Sequence, residues 1–280
     1  MTLASAPDPI RLSGLQAAPA PEAEPLARLG TLEVGLAANR AEREASFALR
    51  HAVFVAGHGE MAGDARGLET DAHDRGAVHL LVRDTAARDG SGAPATVGTC
   101  RLVLPQPQAE DAFAAASLFA LAPLLAAHRD LVFCEVGRAC VAPSHRRHGV
   151  IEALWRGLWV FSRRRHVDVL FGAASFPGAD PRAHAETIAA LTATPPPPSW
   201  RVAPRPEVAA DLPTPGAAFD RDAVLRALPP LIRGYLHLGA LFSTGAAIDR
   251  DFGTTDLLVM TRLAATPARH RAHFARVTGV

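Results

Sequence analysis

Apolar and polar positions along the chain follow two periods, and each change of period marks a new element. From Leu131 to Val141 the chain reads LVFCEVGRACV, nearly continuous in apolar and small residues. The run is too short for a membrane span and rich in β-formers, which predicts a central strand buried on both faces. Two charges interrupt it, Glu135 and Arg138, and their spacing predicts that they project from opposite faces. Pro143 ends the strand, Ser144 to His148 make a basic turn, and Gly149 opens a helix. In that helix Ile151, Leu154, Trp155, Leu158, Trp159 and Ser162 recur at helical spacing as an amphipathic stripe. Arg163, Arg164 and Arg165 close it, at the negative end of the helix dipole.

The same reading orders the rest of the chain. Thr31 to Ala37 is a predicted strand, and Asn39 caps a helix running to about Val55, with Glu42 as capping-box partner. Phe47, Leu49, Val53 and Phe54 form its apolar arc, with Arg50 in the middle. A buried arginine needs an anionic partner, unless its stem packs and its head reaches water. Gly57 to Gly76 is a long Gly- and Asp-rich loop, read either as a substrate-binding lid or as a solvated acidic loop. His79–Arg83 and Val97–Leu104 are predicted strands, Arg101 sharing a face with Val97, Thr99 and Val103. Ala109 to Ala127 reads as a helix broken or kinked at Pro123. A strand at Val167–Ala174, a helix at Asp180–Thr192 and a stiff polyproline link at Pro195–Pro198 follow. Beyond them the pattern predicts a strand near Trp200–Val202 and helices over Asp220–Leu238, interrupted at Pro229-Pro230. A strand at Asp256–Leu263 and a basic, His-rich helix complete the chain. Residues 1–29, rich in Ala and Pro and without periodicity, read as a disordered extension. Residues 30–280 read as one domain, its core reaching about 194 and a C-terminal extension covering 195–280.

Composition narrows the classes. A chain of 280 residues, 49% of them apolar, can bury a sizeable core. A formal charge of +1 gives no global reason to expect nucleic acid. All 29 strongly basic side chains are arginine, which we attribute to codon bias. Cys100, Cys134 and Cys140 are odd in number, lack metal-type spacing and fall in predicted strands, so they read as core thiols in a reducing compartment. No stretch approaches the roughly 20 apolar residues of a membrane helix, and the N-terminus lacks a signal pattern. A cytoplasmic protein is expected, with no bound metal.

Three features carry chemistry. A strand, an Arg/Gly turn and a helix N-terminus make an anion site, or an ordinary βα unit with a solvated turn. Glu135, inside an apolar strand, must be paired, protonated or functional. Ser175 lies in Gly172-Ala-Ala-Ser-Phe-Pro-Gly178, which is not a Gly-x-Ser-x-Gly elbow, so a serine hydrolase is disfavoured. His79, at a strand start, reads as structural.

Arg146-Arg147-His148-Gly149-Val150-Ile151 resembles the pyrophosphate-binding turn of GNAT-type acyltransferases, Gln/Arg-x-x-Gly-x-Gly/Ala; Arg146 and Gly149 match and Ile151 departs. Glu135-Val-Gly-Arg-Ala-Cys-Val-Ala-Pro-Ser-His-Arg, the Trp-bearing helix and Phe171 to Gly178 resemble bacterial ornithine N-acyltransferases, the acyl-carrier-protein-dependent enzymes that begin ornithine-lipid synthesis. Leu49-Arg50-x-x-Val53-Phe54, Val97 to Leu102, Leu228 to Gly239 and Asp249-x-x-Phe252 extend the likeness over about residues 31–275. The resemblance implies an α/β fold of α+β type: a GNAT-like mixed, mostly antiparallel sheet flanked by helices. It also implies acyl transfer from a phosphopantetheine thioester on acyl carrier protein, a co-substrate rather than a tightly bound cofactor, to the α-amine of ornithine. The product would be lyso-ornithine lipid, which places the protein in the cytoplasm with a peripheral association at the inner membrane.

Acyl transfer from a thioester to an amine needs a positioned amine, a base and donors for the developing oxyanion. Glu135 is the candidate base, or a structural partner of Arg50 or Arg101; Gly137 marks a candidate bulge. Glu135 and Arg101 are the catalytic candidates, and Arg50, Asp71, Asp74, Arg138 and Ser175 the substrate-binding ones. Arg146, Arg147, Gly149 and Val150 are candidates for the donor phosphate. Arg163 to Arg165 with His166 form a candidate docking surface for the carrier protein, or a solvated helix end. Acyl-homoserine-lactone synthases share the Arg50 pattern, the acidic loop and Arg101, but the long C-terminal region and Ser175-Phe-Pro-Gly178 argue against that class. A non-catalytic module binding acyl carrier protein is the third reading.

Overall fold

The structure is a computed structural model and describes residues 24–55, 64–146, 149–212 and 220–280. Strands β1 (Ala27–Leu29) and β2 (Leu32–Leu36) form a hairpin. The first strand thus begins inside the stretch read as an extension, while residues 1–23 lie outside the described residues. Helix α1 (Arg40–Arg50) starts where Asn39 accepts a hydrogen bond from the Glu42 amide at 3.0 Å. The Glu42 carboxylate reaches back to the Ala38 amide, one residue before the cap. A π-helical turn, His51–Val55, continues α1.

Strands β3 (Val78–Arg88) and β4 (Pro94–Val103) follow, joined where Asp89 accepts from the Ser91 and Ala93 amides. The helix expected over Ala109–Ala127 forms only in its last part, from the break at Pro123 onward. Two short 3-10 turns, Glu110–Ala112 and Ala114–Ser117, precede α2 (Ala122–Ala127). Tertiary packing overrides the helical preference here, because Phe113, Phe119, Leu121 and Leu124 are all drawn into one core and a straight helix could not bury all four.

Next come β5 (Phe133–Val141), α3 (Val150–Arg164), β6 (Val169–Pro177) and α4 (Ala185–Thr192). The strand expected at Trp200–Val202 is instead a 3-10 turn, Pro198–Trp200, with Trp200 buried. Helices α5 (Arg221–Ala227) and α6 (Pro230–His237), strands β7 (Leu241–Phe242), β8 (Ala247–Asp249) and β9 (Thr254–Arg262), and helix α7 (Ala268–Thr278) complete the described chain.

One sheet runs β1-β2-β3-β4-β5-β6-β9-β7, with β8 also paired to β9. The β5–β6 pair is parallel and the others antiparallel. Val34, Leu80, Val82, Cys100, Leu102 and Cys134 face Val150, Ala153, Leu154 and Leu158 of α3. On the opposite face Val103, Phe133, Phe171, Leu258 and Met260 pack against Phe113, Phe119 and Trp200. The three cysteines are free and buried, and burial pushes each thiol pKa up, that of Cys140 to about 12. Among the described residues no helix is long and apolar enough to cross a membrane.

Candidate active site

Three arginines and three carboxylates meet between α1, the acidic loop and the middle of the sheet. Arg50, fully buried, pairs with Glu69 and grips Asp74 with both amino groups, at 2.7 and 3.0 Å. Arg101, also buried, reaches Asp71 at 2.5 Å and Asp74 at 3.4 Å. Arg138 contacts Glu69 at 3.1 Å and Asp71 at 2.7 Å. Asp71 and Asp74 are further fixed by a capping box around the 3-10 turn Ala72–Arg75. Burial alone would raise the Asp71 carboxyl, but Arg101 and Arg138 outweigh it and hold the pKa at about 2.

This arrangement corrects the expectation that Asp71 and Asp74 bind a cationic substrate. Three guanidiniums balance three carboxylates, so the cluster has no net negative charge to offer a cation. The carboxylates instead hold arginines in place. Glu69 escaped sequence reading, although its signal was available: an acid next to Leu68, in a chain whose Arg50 needed a buried partner.

The β4–β5 ladder pairs Thr99 with Cys140 and Arg101 with Gly137, leaving Arg138 and Ala139 opposite Cys100. This is a β-bulge, and Arg138 occupies the left-handed region at φ 52°. A non-glycine residue holds that conformation only when its surroundings enforce it. Glu69, Asp71 and the Phe252 ring, 4.2 Å from the guanidinium carbon, do so here. The extra residue also reverses the expected facing: Arg138 joins Arg50 and Arg101 on the α1 side instead of opposing Glu135. Its Nη1 has no acceptor among the described residues. The Nε of Arg101 is buried without an acceptor, and its Nε–Nη2 edge lies against Gly137.

Glu135 is buried, and neither arginine is its direct partner. Its two carboxylate oxygens accept hydrogen bonds from the Ala114 and Ala115 amides at 2.7 and 2.8 Å. Burial pushes its pKa above the ordinary carboxylate range, although both amides favour the charged form.

Parallel pairing of β5 with β6 stops at Glu135–Phe171, and beyond it the strands diverge, β6 staying with β9. The opening leads into a cavity of about 390 Å³ lined by Phe54, Val136, Ile151, Trp155, Tyr235 and Val259 among others, with Arg146 as its strong cation. A ligand pocket is typically of this size. Gly172 stands at the apex, where a Cβ would lie 2.2 Å from the Val136 carbonyl oxygen. Gly172→Ala is therefore expected to force the strands apart at the apex and to reduce activity at least tenfold. Steady-state assays with a melting curve on the same variant check this, and wild-type kinetics would show that the close approach is immaterial.

Arg146 is exposed and Gly149 takes φ 72° at the N-cap of α3. Val150 is buried against Gly98, so its side chain packs in the core and only its backbone faces the turn. Arg147 lies outside the described residues, as does His148. Ser175 is exposed on β6, directly opposite the buried Asp256 of β9, and makes no hydrogen bond to the three arginines among the described residues. Asp256 was missed, though an acid in the apolar run Thr254 to Met260 gives the same signal as Glu135.

His79 is buried with its Nε2 3.8 Å from Asp74 and its ring edge-on to Phe47. Burial lowers its pKa to about 4. The unfolded chain therefore binds more protons between about pH 6.5 and 4, and stability must fall as pH drops through that window. His79→Leu is expected to flatten the pH dependence of the melting temperature there; an unchanged slope would assign it to other groups.

Residues 49–156 match the acetyltransferase (GNAT) domain family. An L-ornithine N(alpha)-acyltransferase of Rhizobium meliloti is 38% identical over 94% of this chain and 91% of its own length. One from Agrobacterium fabrum is 36% identical over 88% and 86%. Among solved structures, FeeM, an N-acyl amino acid synthase from uncultured soil microbes, aligns at 10% identity over 86% of this chain and 98% of its own, with a TM-score of 0.49. With the GNAT domain and relatives of this identity along nearly its whole length, the chain is an acyltransferase and belongs to the L-ornithine N(alpha)-acyltransferase family.

Proposed function

We propose that the protein transfers a 3-hydroxyacyl group from the phosphopantetheine thioester of an acyl carrier protein to the α-amine of ornithine, giving lyso-ornithine lipid. The observation that carries the donor half is the apolar cavity between diverging β5 and β6, which begins at Arg146 beside the N-terminus of α3. The acceptor follows from the names of the relatives.

The neutral amine attacks the thioester carbonyl, the C–N bond forms, and the C–S bond breaks to release a thiolate, which becomes the free thiol by taking up the proton lost from the amine. Glu135, kept above the ordinary carboxylate range by burial, accepts the amine proton directly or through water. Beyond Glu135 no β6 partner covers the side of β5 turned away from β4, so amides at the bulge supply donors to the thioester oxygen. The free edge of Arg101 beside Gly137 orients the reacting groups, and Arg138, with Nη1 unspent, takes the amino-acid carboxylate. Arg50, with Glu69, Asp71 and Asp74, acts through these two by holding them. Arg146, Arg147 and the N-terminal amides of α3 hold the single phosphodiester of the pantetheine arm. Arg163 to Arg165 and His166, at the end of α3, form a basic surface for the acidic carrier protein. The product carries one acyl chain and leaves to a bilayer, so the protein works at the inner-membrane surface.

Pure protein incubated with ornithine and 3-hydroxyacyl carrier protein is expected to form acyl-ornithine, detected by mass spectrometry. No product with competent substrates sinks the proposal.

A further inference from the structure

We infer that Asp256, with Ser175 at its mouth, is the site that binds the side-chain ammonium of the acceptor and selects a diamino acid over its monoamino counterpart. The inference rests on the proposed ornithine reading and adds what that reading lacked once the loop acids proved to be neutralised. A cationic side chain needs a carboxylate, and Asp71, Asp74 and Glu69 are spent on arginines.

Asp256 is different. It is 2% exposed, and among the described residues no basic residue pairs with it and its Oδ1 has no hydrogen-bond partner. A buried carboxylate oxygen without a donor is costly, and a ligand ammonium relieves that cost. Burial pushes its pKa up to about 6, offset in part by the Ser175 and Thr254 hydroxyls and raised further by Asp249. An approaching cation would restore the charged form.

The placement fits the substrate. Glu135 and Phe171 are paired where β5 and β6 run parallel. Arg138 lies three residues farther along β5 and Ser175 four residues farther along β6, roughly 10 and 13 Å at the rise of a strand. Both therefore stand at a similar height on opposite sides of the opening. Ser175 shares the face of Phe171, the face that carries Glu135, and Asp256 is its register partner. The β8–β9 turn connects the two sides. Asp249 accepts from the Asp251 and Phe252 amides at 3.0 Å each, and the Phe252 ring lies against Arg138. One end of an amino acid thus meets a guanidinium and the other a carboxylate, with Glu135 set back between them.

The test measures kcat/KM for full-length wild type, Asp256→Asn and Ser175→Ala on ornithine and on norvaline, which has the same carbon chain without the side-chain amine. The wild type is expected to favour ornithine. In Asp256→Asn the ornithine-to-norvaline ratio is expected to fall roughly 10- to 100-fold, mainly through KM for ornithine, and in Ser175→Ala by less. An unchanged ratio in both variants overturns the assignment while leaving the ornithine reading intact. Wild type that acylates norvaline but not ornithine overturns both. If Asp256→Asn does not fold, the exposed Ser175→Ala decides alone, by the same ratio.

Discussion

Replacing Glu135 with glutamine is expected to lower kcat by about 100- to 10,000-fold, the range of a lost general base. The pH profile separates this role from a structural one. In the wild type, activity falls as pH drops through the raised pKa of Glu135, because the protonated acid cannot accept the amine proton. In Glu135→Gln that acid limb should vanish. Glutamine also sets an NH2 group against one of the two amides at Ala114 and Ala115, donor facing donor. That mismatch costs about 1–3 kcal/mol, so the melting temperature should fall too. Kinetics must therefore be compared well below the variant's transition. If the acid limb survives and only the melting temperature falls, Glu135 is a clip for the Ala114–Ser117 turn and not the base.

Arg50→Met is expected to destabilise the fold by about 3–5 kcal/mol, the cost of breaking a buried ion pair from one side. For a chain of this length that lowers the melting temperature on the order of 10 °C. The reason is the burial of what remains: Glu69 and Asp74 would lose their shared guanidinium while buried almost completely. Arg50→Lys should recover little, because an ammonium cannot hold Asp74 with two parallel bonds and still reach Glu69. Adding Glu69→Gln and Asp74→Asn to Arg50→Met should return part of the loss. A shift of only a degree or two in Arg50→Met would mean that water reaches the cluster. Activity should fall with stability, since Glu69 also holds Arg138 and Asp74 also touches Arg101.

The arginine cluster shows how far residues near in sequence reveal a site. Arg50 declares itself within one helix, an arginine inside an apolar arc. Its partners lie 19 and 24 residues away in an irregular loop, where no periodicity shows which acids turn inward. Arg138 illustrates the opposite failure. Alternation along a regular strand placed it away from α1, and one extra residue in β5 brought it back.

From the sequence alone come the strand that carries Glu135, the Arg/Gly turn at the start of α3, the cap at Asn39, the buried Arg50 and the family likeness. Each is written in contiguous residues, where backbone preference and hydrophobic period act. Only the tertiary structure decided that the loop acids serve the arginines, that Glu135 caps a turn from its neighbouring segment, and that Asp256 stands buried beside Ser175 without a basic partner among the described residues. Those facts depend on which segments meet across the sheet, and on a charge balance that exists only after burial brings the side chains together.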